Sequence, residues 1–89
     1  MKINFKKFEV EVSFDGHKQT FDIAKDFGNF MKYGSSVMGD IGFEDLAKEI
    51  YYSDGDVEID EKYKSALIQV VNESKYVSAI KRELIKKLS

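Results

Sequence analysis

Two patterns in this sequence predict an α+β fold. Phe8, Val10, Val12 and Phe14 alternate with Glu9, Glu11 and Ser13, and three later segments repeat apolar residues at spacings of three and four. A period of two marks a strand with one buried face, and a period near 3.6 marks a helix with one buried stripe. The expected architecture is an N-terminal β-hairpin, with a possible short third strand, packed against three to four helices, the C-terminal one amphipathic and basic. At 89 residues the chain is expected to form one small domain.

The hairpin comes first. Asp15-Gly16 follows the alternating run directly, and Asp-Gly suits a two-residue type I′ turn because both central positions need positive φ. The return strand is expected over Lys18 to Ile23, with Phe21 and Ile23 on one face. Upstream, Ile3 and Phe5 fall on odd numbers while Phe8 to Phe14 fall on even ones, so the phase slips at Lys6-Lys7. A β-bulge would absorb that slip.

From Ala24 to Tyr33, the spacing of Phe27, Phe30 and Met31 predicts a short helix that Gly34 ends, although Gly28 weakens it by about 1 kcal/mol relative to Ala. The stretch Gly34 to Gly42 holds three glycines and no helical period, and is expected to be mobile. Phe43, Leu46, Ala47, Ile50 and Tyr51 then form a complete amphipathic stripe opposite Glu44, Asp45, Lys48 and Glu49. Ser53-Asp54-Gly55 breaks that helix. Val57 and Ile59 alternate with Asp56, Glu58 and Asp60, a pattern that fits either a short strand beside the hairpin or an extended loop.

Asp60 is placed to cap the next helix, with Glu61 in its first turn. Tyr63, Ala66, Leu67, Val70 and Val71 give its core face, and Val77, Ile80, Leu84 and Leu88 give a second stripe. Between them, the polar Asn72-Glu73-Ser74 can interrupt the backbone ladder. Residues 60 to 88 therefore read as one helix or two.

Charge is sorted along the chain. Between Asp40 and Glu61 nine acidic residues stand against Lys48 alone, whereas from Lys62 onward seven basic residues stand against Glu73 and Glu83. Helix ends account for part of this, since Glu44, Asp45, Asp60 and Glu61 sit at helix starts and Lys86 and Lys87 at a helix end. Asp54, Asp56 and Glu58 on the acidic side, and Lys81 with Arg82 on the basic side, have no such local explanation.

Composition excludes several classes. A hydrophobic content of 43% removes the chain from the disordered regime. Without cysteine, neither a disulfide framework nor a cysteine-based zinc site or nucleophile is possible. Charges recur throughout the first residues, so no secretion signal is expected there, and no apolar run approaches the length of a membrane span. A cytoplasmic, soluble protein is the expectation.

Candidate chemistry is sparse. His17, the only histidine, follows a turn dipeptide and reads as a solvated turn residue. Counted from Asp54, a calcium loop of the EF-hand type would need Gly at its sixth position and Glu at its twelfth, where Ile59 and Ser65 stand. Gly39-Asp40-Ile41-Gly42 has the spacing of the KH-domain clamp loop, but its acid would repel phosphate. No cofactor, metal or catalytic residue is expected.

What remains is contact. Lys81, Arg82, Lys86 and Lys87 could touch phosphates weakly, although a pI near 5.4 argues against nucleic acid as the main partner. The acidic segment could instead imitate nucleic acid and block a basic groove. Aromatic and apolar residues gather around the glycine-rich connection, from Phe27, Phe30 and Tyr33 through Val37, Met38, Ile41 and Phe43 to Tyr51 and Tyr52; most are expected in the core. Any left outside would suit a contact surface. The expected function is a noncatalytic protein-interaction module, acting on a protein partner or by self-association through Asp54, Asp56, Glu58, Val37, Met38, Lys81 and Arg82.

Overall fold

A computed structural model describes all 89 residues. In chain order it contains β1 (Lys2–Asn4), β2 (Phe8–Glu11), β3 (Lys18–Phe21), α1 (Ala24–Asn29), a π-helical turn (Phe30–Gly34), α2 (Ile41–Tyr52), β4 (Asp56–Glu58), a 3₁₀ turn (Glu61–Tyr63), α3 (Lys64–Glu73) and α4 (Ser78–Leu88). The α+β class stands. The strands form two separate antiparallel pairs, β2 with β3 and β1 with β4.

The hairpin pairs Phe8 with Phe21 and Glu11 with Lys18. Its loop is longer than Asp15-Gly16 alone suggests. His17 O accepts from Val12 N–H at 2.8 Å, and Ser13 O accepts from Gly16 N–H at 3.2 Å, so four residues, Ser13 to Gly16, make the connection. Only Gly16 has positive φ, +86°. Asp15 stays out of that region because its carboxylate accepts from the Ser13 hydroxyl and from His17 N–H, which builds a local side-chain turn in place of the type I′ geometry.

Alternation outlasts the core. Phe8 and Val10 are buried, but Val12 and Phe14 are exposed, as is every residue from Glu11 to Thr20. The far half of the hairpin thus stands clear of the apolar interior.

The phase slip at Lys6-Lys7 is a turn between two strands with different partners. Asn4 Oδ1 accepts from Lys7 N–H at 2.9 Å, and Lys6 holds Asp22 at 2.9 Å. β4 forms over Asp56–Glu58, yet it pairs with β1, Ile3 facing Val57, and does not extend the hairpin. Alternation allowed either a strand or an extended loop here, and pairing with β1 makes it a strand.

Helix α1 packs against α2 through Gly28. A Cβ there would lie 2.7 Å from Ala47 O and 2.8 Å from Tyr51 Cβ, so only glycine admits this approach. The backbone then widens into the π-helical turn, closed by Ser35 N–H donating to Phe30 O at 2.8 Å. Gly34 leaves room for the Phe30 ring at that point. Asp40 caps α2, accepting from Phe43 N–H at 2.8 Å. Asp60 caps the 3₁₀ turn, accepting from Lys62 N–H at 3.0 Å.

Residues 60 to 88 are two helices. Ser74 ends α3, its hydroxyl and its N–H both donating to Val71 O, and Val77 precedes α4. Val77 is exposed and does not join the stripe assigned to it. The core joins Phe5, Phe8 and Val10 with Phe27, Met31, Phe43, Ile50, Leu67, Val71 and Leu84. No helix is long and apolar enough to cross a membrane.

Candidate interaction surfaces

The largest concavity is a groove of about 530 Å³ between α1, the π-helical turn and α2. Gly28 and Ala47, both buried, form its floor. Tyr33, Tyr51 and Tyr52 line it, the last two edge to face with centroids 4.8 Å apart. Lys25 lies 4.6 Å above the Tyr51 ring and Lys32 5.2 Å above Tyr33. Glu44, Asp45, Lys48 and Asn29 supply the polar rim. Short π-helical insertions concentrate at functional sites. Here the insertion carries Lys32 and Tyr33 into the groove.

A second groove, of about 480 Å³, separates the hairpin's far end from α4. Val12 and Phe14 line one side, and Ala79, Arg82 and Lys86 the other. Arg82 and Lys86 are like charges one helical turn apart, an arrangement mildly unfavourable in itself. Neither has an acidic partner within 4.0 Å; Glu83, also in the groove, pairs with Lys87 at 3.9 Å. Lys81 is half-buried and likewise without an ion pair.

The glycine-rich connection is tied down at both ends. Glu73 accepts from Ser36 Oγ at 2.6 Å, from Ser36 N–H at 2.8 Å and from Gln69 Nε2 at 3.2 Å. Those bonds, led by the Ser36 hydroxyl, hold its carboxyl below the usual range. Asp40 is lowered too, first by Phe43 N–H and then by the Tyr63 hydroxyl, which donates to it at 3.1 Å. Gly42 makes space for that hydroxyl. Of the apolar residues in this region, Phe27, Met31 and Phe43 are buried, Val37 is half-buried against the core, and Met38 and Ile41 are exposed.

Asp54, Asp56 and Glu58 are all exposed. Only Asp56 and Glu58 share the outer face of a strand, three residues long, because Val57 points inward between them. Glu58 approaches the N-terminal amine at 3.8 Å, whereas Asp54 and Asp56 make no ion pair. No group of three acidic or histidine side chains converges as a metal site would. Elsewhere, Tyr76 stacks on Phe27 with its hydroxyl buried and without a hydrogen-bond partner, and burial, with the Asp26 charge, raises its pKa strongly.

The seven residues expected to form contacts do not make one surface. Asp54, Asp56 and Glu58 follow α2, Val37 and Met38 lie in the tied connection, and Lys81 and Arg82 lie on α4. The three tyrosines belong to the aromatic group expected mostly in the core, and Tyr33 and Tyr52 are members of it that stay outside. Gly28, an unfavourable residue inside a short helix, is a second sequence signal of the groove. Compared with family models, curated proteins and solved structures, the chain matches none.

Proposed function

We propose that this chain is a noncatalytic protein-interaction module whose principal contact surface is the tyrosine groove between α1 and α2. The grouping of aromatic side chains outside a closed core carries this reading. Twenty apolar residues form one continuous buried cluster, so the exposure of Tyr33 and Tyr52 does not come from a chain too small to bury anything. Tyrosine offers a large, stiff, amphipathic contact at low entropic cost, and it is enriched where proteins meet. The acids favour this over imitation of nucleic acid, since a strand with two outward carboxylates presents a short charge track.

Affinity capture tests the proposal. The wild-type chain is expected to retain a stoichiometric protein partner, a foreign protein or another copy, and Y33A/Y52A is expected to lose it with an unchanged melting curve. Equal capture by both chains would remove the groove from the reading. Absence of any partner, foreign or self, would remove the module itself.

A further inference from the structure

Independently of the tyrosine groove, we propose that the hairpin beyond Val10 is an arm that closes onto α4, Val12 and Phe14 seating on the stripe of Ala79, Arg82 and Lys86. The groove of about 480 Å³ is the gap this motion shuts, since both of its walls belong to these two elements. Val12 and Phe14 continue the strand face on which Phe8 and Val10 are buried, and α4 packs on β2. Past Val10 that face loses its cover, and Phe14 is wholly exposed. Opposite, Ala79, Arg82 and Lys86 fall three and four residues apart, which puts them on one side of the helix. Val10 to Phe14 spans about 13 Å when extended and Ala79 to Lys86 about 10 Å along the helix, so the two stretches match in length.

The arm is built to move as a unit. Its turn bonds are internal: Val12 N–H donates to His17 O, Gly16 N–H donates to Ser13 O, and the Asp15 carboxylate accepts from the Ser13 hydroxyl and from His17 N–H. No hydrogen bond or ion pair joins residues 11 to 20 to α4. Two-stranded ribbons twist further than wider sheets, so the arm can swing with its ladder intact.

Charge favours closure when it is counted over both elements. From Glu9 to Thr20 the hairpin holds Glu9, Glu11 and Asp15 against Lys18, His17 being neutral, and α4 holds Lys81, Arg82, Lys86 and Lys87 against Glu83. Lys18 takes Glu9 at 3.3 Å, and Lys87 takes Glu83 at 3.9 Å. What stays unpaired is acidic on the arm, Glu11 and Asp15, and basic on the helix, Lys81, Arg82 and Lys86. Arginine and lysine stems are apolar, so Arg82 and Lys86 can cover the Phe14 ring while their charged ends meet the carboxylates. A phenylalanine buries about 150–250 Å² when covered. Closure therefore gains apolar contact and ion pairing in one motion. It also occupies the basic face of α4, which is open to an anionic ligand only while the arm is open.

Salt and charge reversal test the motion. The chain has no tryptophan, so Phe14→Trp places a lone reporter at the tip. Its emission is expected to lie to the blue at about 50 mM salt and to move to the red by about 500 mM, as the ion pairs are screened. Because the burial is within one chain, the shift is expected to be the same from micromolar to millimolar protein. In the wild type at low salt, nuclear Overhauser contacts are expected between the Phe14 ring and side chains of α4. Arg82→Glu/Lys86→Glu sets acid against acid and is expected to abolish both signals, and adding Glu11→Lys to recover part of each. All the substituted side chains are exposed, so the fold is expected to survive. A fully exposed reporter at low salt, no contact between Phe14 and α4 in the wild type, or a blue shift that persists in R82E/K86E would each overturn the proposal. So would a shift that grows with protein concentration, since it would place the ring against another copy.

Discussion

Gly28→Ala sets two opposed effects against each other, and the structure decides which wins. Alanine is the better helix former by about 1 kcal/mol, so on propensity alone the substitution stabilises α1. Against this, the new methyl would lie 2.7 Å from Ala47 O, 2.8 Å from Tyr51 Cβ and 2.9 Å from Tyr51 N. Two of those three atoms are backbone, and the third is fixed to it. No rotamer change relieves the clash, so α1 must move away from α2, and overpacking of this kind costs about 1–3 kcal/mol. Three contacts under 3.0 Å, two of them to backbone, put the cost in the upper part of that range, so after the helix gain a net destabilisation of about 1–2 kcal/mol is expected, a fall of about 4–16 °C in Tm for a domain of this size. Urea denaturation and thermal unfolding followed by circular dichroism measure it. A variant as stable as the wild type, or more so, would refute the close packing and with it the floor of the tyrosine groove.

Other outcomes follow from particular contacts. Tyr76→Phe removes a buried hydroxyl that has no partner, so stability is expected to hold or rise by up to about 1 kcal/mol; a clear loss in thermal unfolding would reveal a bond the hydroxyl makes. Glu73 has a lowered pKa in the folded state, so its contribution to stability is complete above the unfolded carboxyl value and is lost as pH falls through the lower folded one. An NMR titration should accordingly place the Ser36 amide transition below the ordinary glutamate range, and Glu73→Gln should abolish it; a transition at the ordinary value would contradict the double acceptance from Ser36. For Asp40, Ala is expected to destabilise and Asn to be tolerated, since asparagine can also cap α2. Equal melting points for those two variants would show that the cap contributes nothing.

Much of the architecture was legible because local physics dictates it. The stripes Phe43–Leu46–Ala47–Ile50 and Leu67–Val70–Val71 had one face to bury and buried it. Asp60 and Ser74 acted where their short polar side chains compete best with the backbone ladder. The contact residues were harder to read. Phe14 and Val12 carry the same alternation as Phe8 and Val10, yet the core ends at Val10, and no pattern in the strand marks where the opposing surface stops. Val77 left its stripe for a similar reason: it precedes the first turn of α4 and does not sit within it.

The sequence by itself determined most of the element types and the linear separation of acid from base, because periodicity, capping and turn chemistry act over a few residues. Only the tertiary structure decided which strand pairs with which, that Glu73 and Asp40 tie down the glycine-rich connection, and that Tyr33, Tyr51 and Tyr52 meet over Gly28. Each of those depends on groups distant in sequence competing for the same space or the same hydrogen bond, and the winner is set by packing of the whole chain.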